Sequence, residues 1–129
     1  MTTTTQKSRK ILAVEDDAEL LTMLTHLLGT IGEVQTARDG KEALEILEGG
    51  YAADLVVTDL MMPRMDGLTL ARTMKNDSRM SRIPILMLTA KSTPRDMIEG
   101  INAGARHYVT KPFTAADLLA KVQKALAAR

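Results

Sequence analysis

Three acidic residues, one hydroxyl and one lysine lie at the ends of four short segments of strand length, the first three of which are apolar runs. They are Glu15 and Asp16 after Lys10–Val14, Asp59 after Leu55–Thr58, Thr89 at the end of Ile83–Thr89, and Lys111 after Arg106–Thr110. Unbroken apolar runs of this length are typical of strands that are buried in a parallel sheet. Ligands of such sheets bind at the carboxyl ends of the strands, so we expect these side chains to lie together at one edge.

The three acids would place about three negative charges in one crevice. Such carboxylates repel one another and raise one another's pKa values unless a cation neutralises them. A divalent cation with oxygen ligands fits this need, and we predict Mg²⁺, with Mn²⁺ as a substitute. With Lys111 added, the site is nearly neutral and is suited to a dianionic phosphoryl group.

Asp59 is the predicted nucleophile of the site. It ends the central apolar run, and the turn residues Pro63 and Gly67 follow it. A carboxylate can attack phosphorus and form an aspartyl phosphate, while the protein positions the group and neutralises its charge.

The other polar residues have supporting roles in this hypothesis. Asp16 is the predicted direct metal ligand, and Glu15 helps through a water molecule. Thr89 can donate its hydroxyl to a phosphoryl oxygen, and Lys111 can contact first the carboxylate and then the phosphoryl group.

Helical stretches separate the apolar runs, so the sequence predicts five strand–helix units in an α/β fold. A parallel sheet with buried strands needs helices on both faces, which makes a doubly wound, three-layer sandwich. We expect Asp17 and Thr93 to cap the first and fourth helices, and Met97, Ile98 and Ile101 to form the apolar stripe of the fourth. The predicted helices are Ala18–Leu28, Lys41–Glu48, Leu68–Lys75, one from Pro94 to Gly104 and one from Thr114, and Val34–Ala37 is the predicted edge strand.

Composition limits the classes of function. The 129 residues, with a net charge of +1 and 2% aromatic residues, do not favour direct nucleic-acid binding. Cysteine is absent, which excludes disulfides and thiol chemistry, and no apolar run is long enough for membrane insertion. We expect residues 1–8 to be a flexible polar tail, residues 9–128 to form one domain, and the protein to be cytoplasmic.

Four motifs in this order resemble the receiver domain of bacterial two-component response regulators. They are ILAVEDD, VVTDLMMPRMDG, LTA and YVTKPF, within a resemblance that covers about Lys10 to Leu126. The resemblance implies a flavodoxin-like (βα)5 fold with strand order 2-1-3-4-5. This order is known for the chemotaxis member of the family and is carried over from it, since the apolar runs alone do not determine it.

The resemblance also implies roles for individual residues. Asp59 is the implied phosphoacceptor, with Glu15 and Asp16 as the acidic pair and the main-chain carbonyl of Met61 completing the metal site. Lys111 is the implied invariant-type lysine of the family pattern, and the Lys111–Pro112 bond is implied to be cis.

In the implied pathway, a sensor histidine kinase or a phosphotransfer protein supplies the phosphoryl group. Thr89 and Tyr108 are the implied switch residues, and they would alter the face made by the fourth helix, fifth strand and fifth helix, where a downstream protein binds. The chain would catalyse its own phosphorylation without being a conventional enzyme. Met61 and Lys91 flank the phosphoryl position and are poorly suited to orient water, so we expect slow self-dephosphorylation.

Several alternatives compete with this hypothesis. An aspartyl-nucleophile phosphatase would need a second acid two residues after Asp59, where Met61 stands. A flavin or nucleotide binder would need a phosphate loop in place of EDDAE. A non-phosphorylated interaction module, and a receiver excised from a longer regulator or hybrid kinase, stay open, although the predicted last helix near Arg129 favours a stand-alone protein.

Overall fold

The computed structural model describes residues 9–62, 64–90 and 94–127. The expected tail, residues 1–8, lies outside this part, as do Thr93 and Lys91. The described residues form five strands that alternate with five helices. The strands are β1 (Arg9–Val14), β2 (Gly32–Ala37), β3 (Leu55–Asp59), β4 (Ile85–Thr89) and β5 (His107–Thr110), and the helices are α1 (Ala18–Leu28), α2 (Gly40–Glu48), α3 (Gly67–Lys75), α4 (Pro94–Ala103) and α5 (Ala115–Ala127).

The strands form one parallel sheet in the order β2-β1-β3-β4-β5, which confirms the predicted fold. The order reverses between β1 and β3, which are direct neighbours, and this is where ligands bind in sheets of this kind. At the ends of the strands, Asp59 pairs with Leu88 and Thr89 pairs with Thr110. The carboxyl ends of β1, β3, β4 and β5 therefore share one edge of the sheet, called the carboxyl edge below.

Apolar side chains cover both faces of the sheet. On one face, Leu24 and Leu28 of α1 and Leu118 and Val122 of α5 belong to a cluster of fully buried residues. On the other face, α2 and α3 contribute a second cluster that includes Leu70 of α3. Burying one such side chain stabilises the fold by about 1.5–3 kcal/mol, so the sheet is held rigidly between its two helical layers.

Aspartates cap three of the helices at their amino-terminal ends. The carboxylate Oδ1 of Asp17 accepts from the Glu19 and Leu20 amides, that of Asp39 from Glu42, and that of Asp66 from Thr69. The capping role predicted for Asp17 is confirmed, whereas those of Asp39 and Asp66 were not predicted. Each cap stabilises its helix by about 0.5–2 kcal/mol and fixes where the loops at the carboxyl edge end.

Several element boundaries differ from the predicted ones. The strand β4 begins at Ile85 rather than Ile83, because Pro84 has no amide hydrogen to donate within the sheet. The strand β2 begins already at Gly32. The helix α5 begins at Ala115, and the Thr114 hydroxyl caps it by accepting from the Asp117 amide.

The apolar stripe predicted for α4 is wrong for Ile98 and Ile101. These two residues are 57% and 55% exposed, while Gly100 and Ala103 are buried. The reason lies in β5, where the Tyr108 side chain occupies the space beside Gly100. Gly100 and Ala103 of α4 therefore face the fold, and Ile98 and Ile101 face outwards.

No helix within residues 9–62, 64–90 and 94–127 has the length and apolarity that crossing a bilayer requires.

Candidate functional site at the carboxyl edge

The predicted acidic residues lie together at the carboxyl edge. Glu15, Asp16 and Asp59 each offer a carboxylate oxygen, and these oxygens lie within 4.8 Å of one another. Glu15 and Asp59 are 1% and 8% exposed, whereas Asp16 is exposed to solvent. The strands β1 and β3 are adjacent, so residues at their carboxyl ends necessarily share this small space.

Lys111 reaches this acidic cluster from the end of β5. Its Nζ lies 3.0 Å from Oδ2 of Asp59 and 3.3 Å from Oε1 of Glu15. Its main-chain amide donates to the Thr89 carbonyl at 2.8 Å, which continues the pairing of β4 and β5 past their last residues. The Lys111–Pro112 bond is cis, the geometry that the resemblance implies. One ammonium group thus contacts carboxylates from two different strands.

The electrostatics of the cluster are unfavourable for a buried acid. Burial, together with repulsion from Asp59, raises the pKa of Glu15 from 4.5 to about 7, although Lys111 and the Asp17 amide act in the opposite direction. Burial alone would lower the pKa of Lys111, but its hydrogen bond with Asp59 and the charges of both acids raise it overall. Lys111 therefore stays charged, and it does not neutralise the cluster completely.

The remaining predicted residues lie nearby in the fold. Thr89 is the last residue of β4 and is 4% exposed. Met61 follows Asp59 by two residues, its side chain is 60% exposed, and its amide lies 3.4 Å from Oδ1 of Asp59. Tyr108 is half-buried in β5, and burial raises the pKa of its phenol.

The loop after Asp59 returns to the carboxyl edge, where α3 begins. The Gly67 amide donates to the Leu60 carbonyl at 3.0 Å, and this hydrogen bond closes the loop. Asp66 caps α3 directly before Gly67. An Asp before a glycine and a helical stretch is a typical capping pattern, so the sequence could have identified this position. The same holds for Asp39 before Gly40.

Comparison with known proteins decides the family. Residues 11–123 match the family model of the response regulator receiver domain. This chain belongs to that family. Among curated relatives, it is 39% identical over 120 residues to chemotaxis protein CheY-3 of Vibrio cholerae, which covers 92% of both chains. It is equally identical to the alkaline phosphatase synthesis transcriptional regulatory protein PhoP of Bacillus subtilis, with 92% of this receiver covered but 49% of that protein.

Solved structures agree with this assignment. The chemotaxis protein CheY4 of Vibrio cholerae superposes on this receiver with a TM-score of 0.86 at 35% identity, covering 92% of this chain and 98% of that one. The receiver is therefore similar to chemotaxis proteins over nearly their whole length and to about half of a longer transcriptional regulator.

The raised pKa of Glu15 predicts a pH dependence of stability in the absence of metal. Between about pH 4.5 and 7, Glu15 is protonated in the folded protein but ionised in the unfolded chain. The contribution of Glu15 to the free energy of unfolding is therefore full below about pH 4.5 and is lost as the pH rises through about 7. Glu15→Gln cannot titrate and should remove this component. Urea unfolding of the wild type and of Glu15→Gln, with a chelator present and at several pH values in this range, measures the free energy of unfolding of each protein.

All other residues are common to both proteins, so the difference between the two curves reports the contribution of Glu15. Identical pH dependence of wild type and Glu15→Gln would show that Glu15 ionises as it does in an unfolded chain.

Proposed function

We propose that this receiver accepts a phosphoryl group on Asp59 and thereby switches a protein-binding face. The observation that supports this most strongly is the contact of Lys111 with Asp59, inside a cluster with two further carboxylates that follow β1. The Lys111 ammonium group contacts Asp59, the proposed nucleophile, and the acidic pair of Glu15 and Asp16 lies beside it. The proposed donor is a sensor histidine kinase, a phosphotransfer protein or a small phosphodonor.

The residues of the cluster fit a magnesium ion. Three carboxylates share a space in which one ammonium group contacts two of them, and one of the acids is exposed enough to be reached from solvent. Oxygen ligands of this kind suit Mg²⁺ or Mn²⁺. Asp16, Asp59 and the Met61 main-chain carbonyl would hold the ion, with Glu15 acting through water. When bound, the ion neutralises the carboxylates and the charge of the incoming phosphoryl oxygens.

In the proposed transfer, a carboxylate oxygen of Asp59 forms a bond to phosphorus as the bond from phosphorus to the donor's imidazole nitrogen breaks. The electron pair of the broken bond leaves with the imidazole. Lys111 orients Asp59 beforehand at 3.0 Å and neutralises phosphoryl charge afterwards. The Thr89 hydroxyl would donate to a phosphoryl oxygen from the neighbouring strand.

Slow hydrolysis of the phosphoryl group stays a prediction. The thioether of Met61 neither donates a hydrogen bond nor accepts one strongly, so it orients an attacking water poorly. Lys91, the other flanking residue, lies outside the described residues.

The proposed switch links Thr89 to Tyr108. A Thr89 side chain that turns to the phosphoryl group would vacate space for the Tyr108 ring, which is half-buried beside Gly100 of α4. Such a relay biases a two-state equilibrium, with a coupling of about 1–3 kcal/mol.

The proposed partner surface is the face of α4, β5 and α5. The exposed Ile98 and Ile101 provide apolar area on α4. A groove of about 530 Å³ between β5 and α5 includes Tyr108, Phe113 and Lys121 in its lining. A downstream protein that contacts this face would sense the position of Tyr108. The cytoplasmic location and the stand-alone form of the receiver stay predictions.

Asp59→Asn should abolish phosphorylation, because a neutral amide is a poor nucleophile toward phosphorus. Intact-mass spectrometry after incubation with acetyl phosphate and Mg²⁺ measures the gain of one phosphoryl group. Asp66→Asn is the matched control, since asparagine still caps α3 and the site is untouched. Uptake by the Asp59→Asn protein that equals wild type would refute the assignment of the nucleophile.

Thr89→Ala should keep phosphorylation but lose the response of Tyr108, because the hydroxyl that senses the phosphoryl group is gone. With 3-fluorotyrosine incorporated, ¹⁹F NMR reports Tyr108, and Tyr51 serves as an internal reference. The Tyr108 signal of the wild type should shift on phosphorylation, and that of the variant should not. An unchanged shift in the variant would show that the relay does not pass through Thr89.

Gly100→Ala should displace the Tyr108 ring towards solvent even without phosphorylation. A methyl group at this position would overlap the phenol oxygen of Tyr108. The same ¹⁹F signal should move to the position of an exposed tyrosine. Asn102→Ala is the control, because it raises helix propensity on an exposed position of α4. A displacement of equal size in both variants would contradict the role of Gly100.

A further inference from the structure

We propose that the ion pair between Asp39 and Arg64 positions the main-chain ligand of the metal site. This inference rests on the proposed function, since it assumes that the Met61 carbonyl binds the ion. Asp39 precedes α2, and Arg64 lies in the loop between β3 and α3, three residues after Met61. Asp39 and Arg64 lie outside the acidic cluster, so both are positioning residues.

Both carboxylate oxygens of Asp39 are used. Oδ1 accepts from the Glu42 amide at 2.8 Å and caps α2, while Oδ2 lies 3.1 Å from Nε of Arg64. The side chain of Asp39 is 8% exposed and that of Arg64 is 58% exposed. A carboxylate that is buried and fixed to a helix terminus is a rigid anchor, and an ion pair with such an anchor orders its partner more than a pair of two mobile surface residues does.

Arg64 adopts a left-handed backbone conformation, with φ at 67°. An arginine in this region is sterically unfavourable, and the surrounding contacts have to hold it there. The ion pair with Asp39 is a contact that favours this conformation. If the ion pair were lost, rotation of Arg64 out of the left-handed region would lower the conformational energy of the backbone. The loop between Asp59 and Gly67 would then change its conformation.

A second contact fastens the same loop to the same turn. The Gly40 amide donates to the Met65 carbonyl at 3.0 Å, next to the ion pair. A Cβ atom at Gly40 would lie 2.7 Å from that carbonyl oxygen, so the loop approaches here as closely as only glycine permits. Together the two contacts, called the loop clamp below, join residues 64–65 to residues 39–40.

The loop clamp matters because of what Mg²⁺ requires. This ion demands near-ideal octahedral geometry, and a main-chain ligand in a mobile loop meets that demand only part of the time. The ends of the loop are fixed by β3 and by the cap of α3, and the loop clamp fixes residues 64–65 between them. A carbonyl that is already in position binds the ion without first losing conformational freedom.

The test compares Arg64→Gln and Asp39→Asn with the wild type in Mg²⁺ titrations followed by ¹⁵N NMR of the Asp59 and Met61 amides. Asparagine still caps α2, so the loss is confined to the charge and to the contact of Oδ2 with Arg64. Each variant should weaken Mg²⁺ binding roughly fivefold, the factor that corresponds to a favourable ion pair. The double variant should lose no more than either single variant, because both remove the same interaction.

The two variants change the net charge in opposite directions, which separates positioning from simple electrostatics. Through space alone, loss of the Arg64 charge would strengthen Mg²⁺ binding and loss of the Asp39 charge would weaken it. The loop clamp predicts that both weaken it. Arg79→Gln is the matched control, because it breaks the ion pair between Arg79 and Asp77 in the turn after α3. The side chain of Arg79 is 65% exposed, similar to that of Arg64. This control should bind Mg²⁺ as the wild type does.

Hydrogen exchange of the Gly40 amide is a second readout that needs no metal. It should be faster in both variants, while amides of β1 and β3 keep their wild-type rates. Unchanged Mg²⁺ affinity in Arg64→Gln, or opposite changes in the two variants, would overturn the proposal. A wild type that binds no Mg²⁺ at the Asp59 amide would instead refute the proposed function, and the loop clamp with it as a device for the metal site.

Discussion

The repulsion among Glu15, Asp16 and Asp59, which Lys111 offsets only in part, is the interaction on which the rest of this receiver depends. The oxygens of these acids lie within 4.8 Å of one another, and a single ammonium group contacts two of them. Burial makes the imbalance costly, as the raised pKa of Glu15 shows. A site built in this way gains stability from any ligand that brings positive charge.

The fold tolerates this excess of negative charge because the site involves few residues, whereas the hydrophobic core that positions them is large. The acids lie at the carboxyl ends of β1 and β3, whose apolar residues 11–14 and 55–57 are fully buried, and both helical layers pack against these strands. Asp17 and Asp66 cap helices that begin at the same edge, so the connections that surround the cluster end at fixed points. The hydrophobic core thus supplies the free energy that holds like charges together, and the proposed loop clamp would position the main-chain ligand that a loop contributes.

The three central strands β1, β3 and β4 were predictable from the sequence because the apolar runs that bury them are unbroken, whereas the strand order came from the resemblance. The strand-end positions of Asp59 and Thr89 followed from those runs, and the motifs then identified the family. The orientation of α4 was not predictable in this way, since Ile98 and Ile101 have the spacing of an inward stripe. Their exposure depends on Tyr108, which fills the space beside Gly100 from another strand. Likewise, no local pattern reveals the contact of Asp39 with Arg64, which are 25 residues apart in the sequence and joined only by the fold.

A crystal structure of the wild-type receiver grown with Mg²⁺ and beryllofluoride, a phosphoryl mimic, tests the central claim most directly. We expect one cation beside Asp16, Asp59 and the Met61 carbonyl, with beryllium bonded to Asp59 and Lys111 turned to a fluorine atom. A cation bound elsewhere, or a beryllofluoride group on any residue other than Asp59, would contradict that claim.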